Sequence, residues 1–201
     1  GAFYVVDENF GSNKKQSYEV ARIMKKHDFI WSAVLRPSSV TYEDLKFYKE
    51  HNLFEITFGT ESGSQKILDI MEKKYTKEII YNAISNCKKV GIRAGHDAFL
   101  LGMPGETEKT VMETAEFRAL LASITEKKWH FDSLPYLVIA IPGTPLYEYC
   151  QQIGVIGKSL DEEENYLIRS SEQNNKNILN YVNKTDSSIK EVHYWYYLFI
   201  Y

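Results

Sequence analysis

Five short apolar runs, each followed by a polar turn and then a stretch with helical spacing, constrain this 201-residue chain more than any other feature. The runs are Phe3 to Val6, Ile30 to Leu35, Leu53 to Phe58, Ile92 to Leu101 and Leu134 to Ile141. The helical stretches are about Ser12 to Lys26, Tyr42 to His51, Gln65 to Lys73, Lys77 to Val90, Glu108 to Ser123 and Pro145 to Ile153. Strands alternating with helices of this length pair in parallel through right-handed crossovers. The expected class is α/β, either an open doubly wound sheet or part of a barrel. Thr41 followed by Asp44 can cap one helix, and Thr144 ahead of Pro145 can cap another. After Gly154 the chain turns acidic at Asp161 to Glu164 and Asn-rich at Asn174 to Asn177. That division predicts a barrel-like unit over 1–155 and a mostly helical appendage with a mobile middle over 156–201.

Composition narrows the class further. With 44% hydrophobic and 25% charged residues the chain reads as an ordinary soluble domain, able to bury roughly 70% of its unfolded surface. Two cysteines leave room for one disulfide at most, which excludes a disulfide scaffold or a zinc module. The longest apolar stretches, Leu134 to Pro142 and Tyr194 to Tyr201, fall short of a bilayer span, so a cytoplasmic protein without a membrane partner is expected. A net charge of −3 gives no support for a nucleic-acid partner. The basic pairs Lys25-Lys26, Lys73-Lys74 and Lys127-Lys128 fall at predicted helix ends, where cations complement the dipole. His27, His51, His96, His130 and His193 lack metal-ligand spacing, although His96 could point into a barrel mouth.

In a parallel α/β fold the chemistry gathers at the carboxyl ends of the strands. The segments following the five runs are Asp7-Glu8-Asn9-Phe10-Gly11, Arg36-Pro37, Gly59-Thr60-Glu61-Ser62-Gly63-Ser64, Gly102-Met103-Pro104-Gly105-Glu106-Thr107 and Pro142-Gly143-Thr144-Pro145. Four of these five carry Gly, Pro or carboxylates beyond what a plain connection needs, as a ligand mouth would.

This ordered set, with Leu68 and Lys74 downstream of the third segment and Leu146-Tyr147 after the fifth, resembles the radical S-adenosylmethionine superfamily. The resemblance is closest to the branch whose members often carry a cobalamin-binding domain before the barrel. It implies a partial TIM-like barrel, with the five runs as the second to sixth strands of a (β/α)6 unit. It also implies S-adenosylmethionine and a [4Fe-4S] cluster as cofactors, with cobalamin on a separate N-terminal domain. The implied reaction cleaves S-adenosylmethionine to a deoxyadenosyl radical that abstracts hydrogen from a small-molecule substrate, supplied with electrons by a donor such as flavodoxin or ferredoxin.

By the same resemblance Asp7, Glu8 and Asn9 take the place of the contacts to the cofactor's amino group, and Arg36 lies near its carboxylate. Glu61 and Ser62 take the ribose, with Gly59 and Gly63 allowing close approach. Leu101, Gly102 and Pro104 pass under the adenine, and Pro142 and Gly143 close the last strand beside it. Glu106 is left open between this mouth and a helix cap.

One departure stands against these matches. The family binds its cluster through a Cys-x3-Cys-x2-Cys loop, and this sequence has only Cys87 and Cys150, both on apolar helical faces and read as packing. The opening Gly1-Ala2 and the aromatic end at Glu191 to Tyr201 carry the expectation of a fragment that continues on both sides and has no radical activity alone. The aromatic run Tyr194 to Tyr197 is expected to pack on a segment outside the chain. Three other readings remain: a non-redox barrel enzyme binding a phosphorylated small molecule, a cluster-less scaffold, and a tRNA methylthiotransferase-like protein. Glu61, where that last group usually has Gln, counts against it.

Overall fold

The computed structural model describes residues 1–95, 98–125, 135–171 and 181–199, apart from the side chains of Glu8 and Asn9. His96, Lys127, Lys128 and Asn174 to Asn177 lie outside the described residues. Strands and helices alternate as β1 (Ala2–Phe10), α1 (Lys14–Lys26), β2 (Ile30–Leu35), α2 (Tyr42–Glu50), β3 (Leu53–Phe58), α3 (Gln65–Ile70) and α4 (Lys77–Val90). They continue as β4 (Arg93–Gly95), β5 (Leu100–Leu101), α5 (Glu108–Thr125), β6 (Tyr136–Leu137), α6 (Pro145–Gln152), α7 (Leu160–Ser171) and α8 (Ile189–Leu198).

Strands β1 to β4 form a parallel sheet in chain order, and β5 and β6 form a second parallel pair. A parallel bridge between Glu61 and Phe99 joins the two: Glu61 N–H donates to the Ala98 carbonyl and Leu100 N–H to the Glu61 carbonyl, each at 2.8 Å. Spatial order therefore follows chain order without the reversal of a doubly wound sheet. The result is the barrel-type alternative, an arc of parallel strands.

Two strand boundaries differ from the sequence reading. The run Ile92 to Leu101 is divided, because β4 pairs with β3 only as far as Thr57 and Gly95, after which the Glu61 bridge takes over. At the other edge β1 runs on to Phe10: Val5 pairs with Ala33 and Phe10 with Leu35, so Val6 to Asn9 bulge out of register. A β-bulge bends a strand and re-aims its side chains.

Core positions follow the two periodicities. Strand β2 buries Trp31, Ala33 and Leu35, while α4 buries Ile80, Ala83, Ile84 and Cys87 along one face. The Thr41–Asp44 capping box forms as expected, and Thr144 caps α6 with Pro145 in its first turn. Asp44 also accepts from Lys14 and Tyr18; burial alone would raise its carboxyl, but these bonds and those from Thr41 hold it down at about 2. Both cysteines are free and buried, and burial pushes the Cys87 thiol up to about 12.

Part of the aromatic C-terminal run packs on this chain's own core. Helix α8 starts at a capping box of Ser188 and Glu191 and buries Val192, Trp195 and Tyr196, with Tyr194 and Tyr197 facing out. Phe199 meets Phe99 edge-on with ring centroids 5.6 Å apart, and its carbonyl accepts from Arg118. Among the described residues no helix is long and apolar enough to cross a membrane.

Candidate functional site

A cavity of about 580 Å³ is lined by β5, by β6 and the segment after it, by the end of α3 and by the start of α6. Its walls are mostly apolar, with Ile70, Met71, Leu100, Met103, Val138 and Ile141 among them. Polar groups gather at the side formed by Glu72 and Lys73. An apolar cavity with a few convergent polar groups is the usual form of a site for a small organic ligand.

Glu61 stands beside this cavity in an unusual backbone state. Its φ is +61°, a left-handed conformation that costs a non-glycine residue about 1 kcal/mol or more and is held here by the two bridge hydrogen bonds. Its Oε1 accepts from Lys73 Nζ at 2.7 Å, and both side chains keep some contact with solvent. A Cβ at position 59 would lie 3.1 Å from that same oxygen, so Gly59 leaves the space in which the carboxylate sits. Lys73 is in turn held by Arg36, whose Nη2 donates to the Lys73 carbonyl at 2.8 Å while the guanidinium lies 5.9 Å from the Tyr75 ring centre. The Tyr75 hydroxyl donates to the Gly59 carbonyl at 2.8 Å. Burial, then the nearby Glu61 charge, pushes that phenol well above its ordinary value.

The neighbouring residues divide differently from the sequence expectation. Ser62 is fully buried, its hydroxyl 3.1 Å from that of Thr114 and accepting from Ser64 N–H, so it braces the turn against α5 and is not among the residues lining the cavity. Gly63 is also explained by packing: a Cβ there would sit 2.5 Å from Phe117 Cβ and 2.7 Å from Thr114 Cα. Leu101 points into the main core, and it is Leu100 and Met103 that reach the cavity. Strand alternation forces that choice, since adjacent residues face opposite sides.

Gly102 has φ +89°, and its N–H donates to Glu106 Oε2 at 2.5 Å. Glu106 is more than a helix cap: it is buried, and its Oε1 has no hydrogen-bond partner among the described residues. Desolvation raises its carboxyl to about 7, and the hydrogen bonds from Gly102 and Met103 offset this only in part. Pro104 follows in the turn. Pro142 and Gly143 form the exposed turn between the cavity-lining residues Ile141 and Thr144, and Gly143 needs φ +83° although nothing crowds its Cα.

Asp7 lies on the β1 bulge and lines a separate cleft of about 100 Å³ with Gly11, Asn13 and Gln16. The side chains of Glu8 and Asn9 lie outside the described residues. Lys73 is the cavity-lining charged side chain that sequence reasoning did not place at the site. It read as a charge at a helix end, but α3 stops at Ile70 and left-handed residues Glu72 and Lys74 turn Lys73 back toward Glu61.

These residues fit an adenosyl ligand: apolar walls for a purine, a carboxylate for sugar hydroxyls, a lysine for a carboxylate. They do not fit an iron–sulfur cluster. Cys87 and Cys150 are buried on α4 and α6 in different core clusters, and the described residues hold no group of three potential metal ligands.

An arc of parallel strands with a cavity beside its last two strands defines a barrel-type α/β domain. The profile of the Radical SAM superfamily matches residues 2–118, and the chain belongs to that superfamily. It is 30% identical over 147 residues, 72% of its length, to an uncharacterized methyltransferase of Pyrococcus horikoshii, covering 30% of that protein. It is 33% identical over 99 residues, 49% of its length, to the tRNA-2-methylthio-N(6)-dimethylallyladenosine synthase of Ehrlichia ruminantium, covering 21% of it. Among solved structures it resembles the radical S-adenosylmethionine methyltransferase TsrM of Kitasatospora setae, determined with cobalamin and a [4Fe-4S] cluster. That likeness has a TM-score of 0.61 at 18% identity, over 79% of this chain and 32% of TsrM. The chain thus spans under a third of each of these proteins.

Proposed function

We propose that this chain forms the S-adenosylmethionine-binding wall of a radical S-adenosylmethionine enzyme that acts on a small molecule. The observation that carries the reading is the Glu61–Lys73 pair beside the apolar cavity. On binding, the Glu61 carboxylate accepts from the ribose hydroxyls and releases Lys73, whose ammonium turns to the ligand carboxylate. Leu100, Met103, Val138 and Ile141 exclude water around the purine. Given one electron from a donor outside this chain, bound S-adenosylmethionine would be cleaved to methionine and the deoxyadenosyl radical for hydrogen abstraction. The chain's own cysteines do not fit a cluster, so no step is derived through one. The methyltransferase and methylthio-synthase relatives favour group transfer over net oxidation. In the whole protein a cluster, a cobalamin domain and a flavodoxin or ferredoxin donor complete this reading.

Calorimetry with S-adenosylhomocysteine, which needs no cluster, tests it. Wild-type protein should bind, and Glu61→Gln should weaken binding at least tenfold, since hydrogen bonds to a charged group contribute about 1.5–3 kcal/mol. Lys73→Met should weaken S-adenosylhomocysteine but leave adenosine, which has no carboxylate, nearly unaffected. No binding, or competition by phosphate at the Gly105 turn, would favour the phosphate-binding alternative.

A further inference from the structure

Three polar side chains beyond residue 155 reach back to the cavity wall. The Tyr181 hydroxyl donates to the Gly102 carbonyl at 3.0 Å, and the Tyr181 ring fills the space where a side chain at 102 would project. Lys184 Nζ donates to the Val138 carbonyl at 2.8 Å and to the Val182 carbonyl at 2.6 Å. The Tyr166 hydroxyl lies 2.9 Å from both the nitrogen and the oxygen of Ala140. Each is buried. Val138 and the neighbour of Gly102, Met103, line the cavity directly.

Lys184 makes the point most clearly. It is 2% exposed, sits 4.7 Å from the centre of the Tyr181 ring, and no carboxylate pairs with it among the described residues. A buried cation held only by carbonyls and a ring weakens the fold relative to an apolar side chain of the same size. Stability alone therefore does not account for it. The peptide groups it and the two tyrosines hold belong to the segments that shape the cavity, and β6 is too short to fix them through a strand ladder.

We infer that Tyr166, Tyr181 and Lys184 are positioning residues, a C-terminal clamp that sets the Gly102 and Val138 segments at the spacing the adenosyl ligand requires. The inference rests on the cofactor reading above. Residues 166, 181 and 184 lie outside the 2–118 match.

The test uses the full chain with Tyr181→Phe, which keeps the ring, and Lys184→Met, which keeps the length. S-adenosylhomocysteine affinity is read by calorimetry and melting temperature by scanning calorimetry. Amide exchange is followed at 101–106 and 136–141. Each variant should lose about three- to tenfold in affinity, the weight of one net hydrogen bond, and show faster exchange in those two segments. The melting temperature of Lys184→Met should hold or rise. Unchanged affinity in both variants, while wild type binds, overturns the clamp alone. A loss of affinity that only follows a lower melting temperature and faster exchange throughout the chain also overturns it. Wild-type protein that takes no S-adenosylhomocysteine overturns the cofactor reading and the clamp with it.

Discussion

Burial of Glu106 should leave a pH signature in the stability of the whole domain. Desolvation is the main cause of its raised carboxyl, which moves from an ordinary 4.5 to about 7 although Gly102 N–H donates to it. A raised carboxyl means that the folded state keeps its proton over a pH range in which the unfolded chain has lost it. Stability from this group is therefore full below about pH 4.5, falls as pH rises, and is lost above about pH 7. The difference of about 2.5 in pKa, at about 1.4 kcal/mol each, amounts to roughly 3 kcal/mol. About 2.5 kcal/mol of this falls between pH 5 and pH 8, which for a chain of this size is a fall of about 5–10 °C in melting temperature. Every other titrating group contributes its own slope, so the measurement is a difference: thermal melts of wild type and Glu106→Gln across pH 4.5–8.5. Gln keeps an acceptor for Gly102 but does not titrate, so wild type should lose stability relative to Glu106→Gln as pH rises, whatever the offset between the two curves. Parallel curves would show that Glu106 is ionised throughout, and that the lone Oε1 has a partner.

Gly63→Ala should cost about 1–3 kcal/mol in chemical denaturation, because the added methyl meets Phe117 and the Thr114 backbone. Gly143→Ala, with open space but φ +83°, should cost only about 1 kcal/mol and leave the cavity residues in place. Asp44→Ala removes the α2 capping box and the partner of Tyr18, so a loss of at least the ~1 kcal/mol of a cap is expected. The Tyr18 phenol, held up at about 12 first by its bond to Asp44, should then titrate closer to 10 in a spectrophotometric titration.

Local patterns carried much of the architecture. β2, β3 and α4 fall where periodicity puts them, because each is long enough for its buried face to repeat. β5 and β6 are two residues each, too short for any period to mark, and their existence depends on the Glu61 bridge and on each other. The mouth segments announced themselves through Gly, Pro and carboxylates, but not through which atoms point where. Ser62 and Gly63 looked like ligand contacts because small residues beside a carboxylate suit both a ligand and a closely packed helix; only α5 decides between them.

The sequence alone determined the alternation of strands and helices, the caps of α2 and α6, the burial of both cysteines and the positions where chemistry gathers, since each depends on residues within a turn or two of one another. Tertiary structure decided what those positions do. Lys73 reaches Glu61 across 12 residues through two left-handed residues. Tyr181 reaches Gly102 across 79, and Lys184 reaches Val138 across 46. Contacts of that separation leave no periodic trace in the chain, because only the closing of the strand arc and the return of the C-terminal segment bring the partners together.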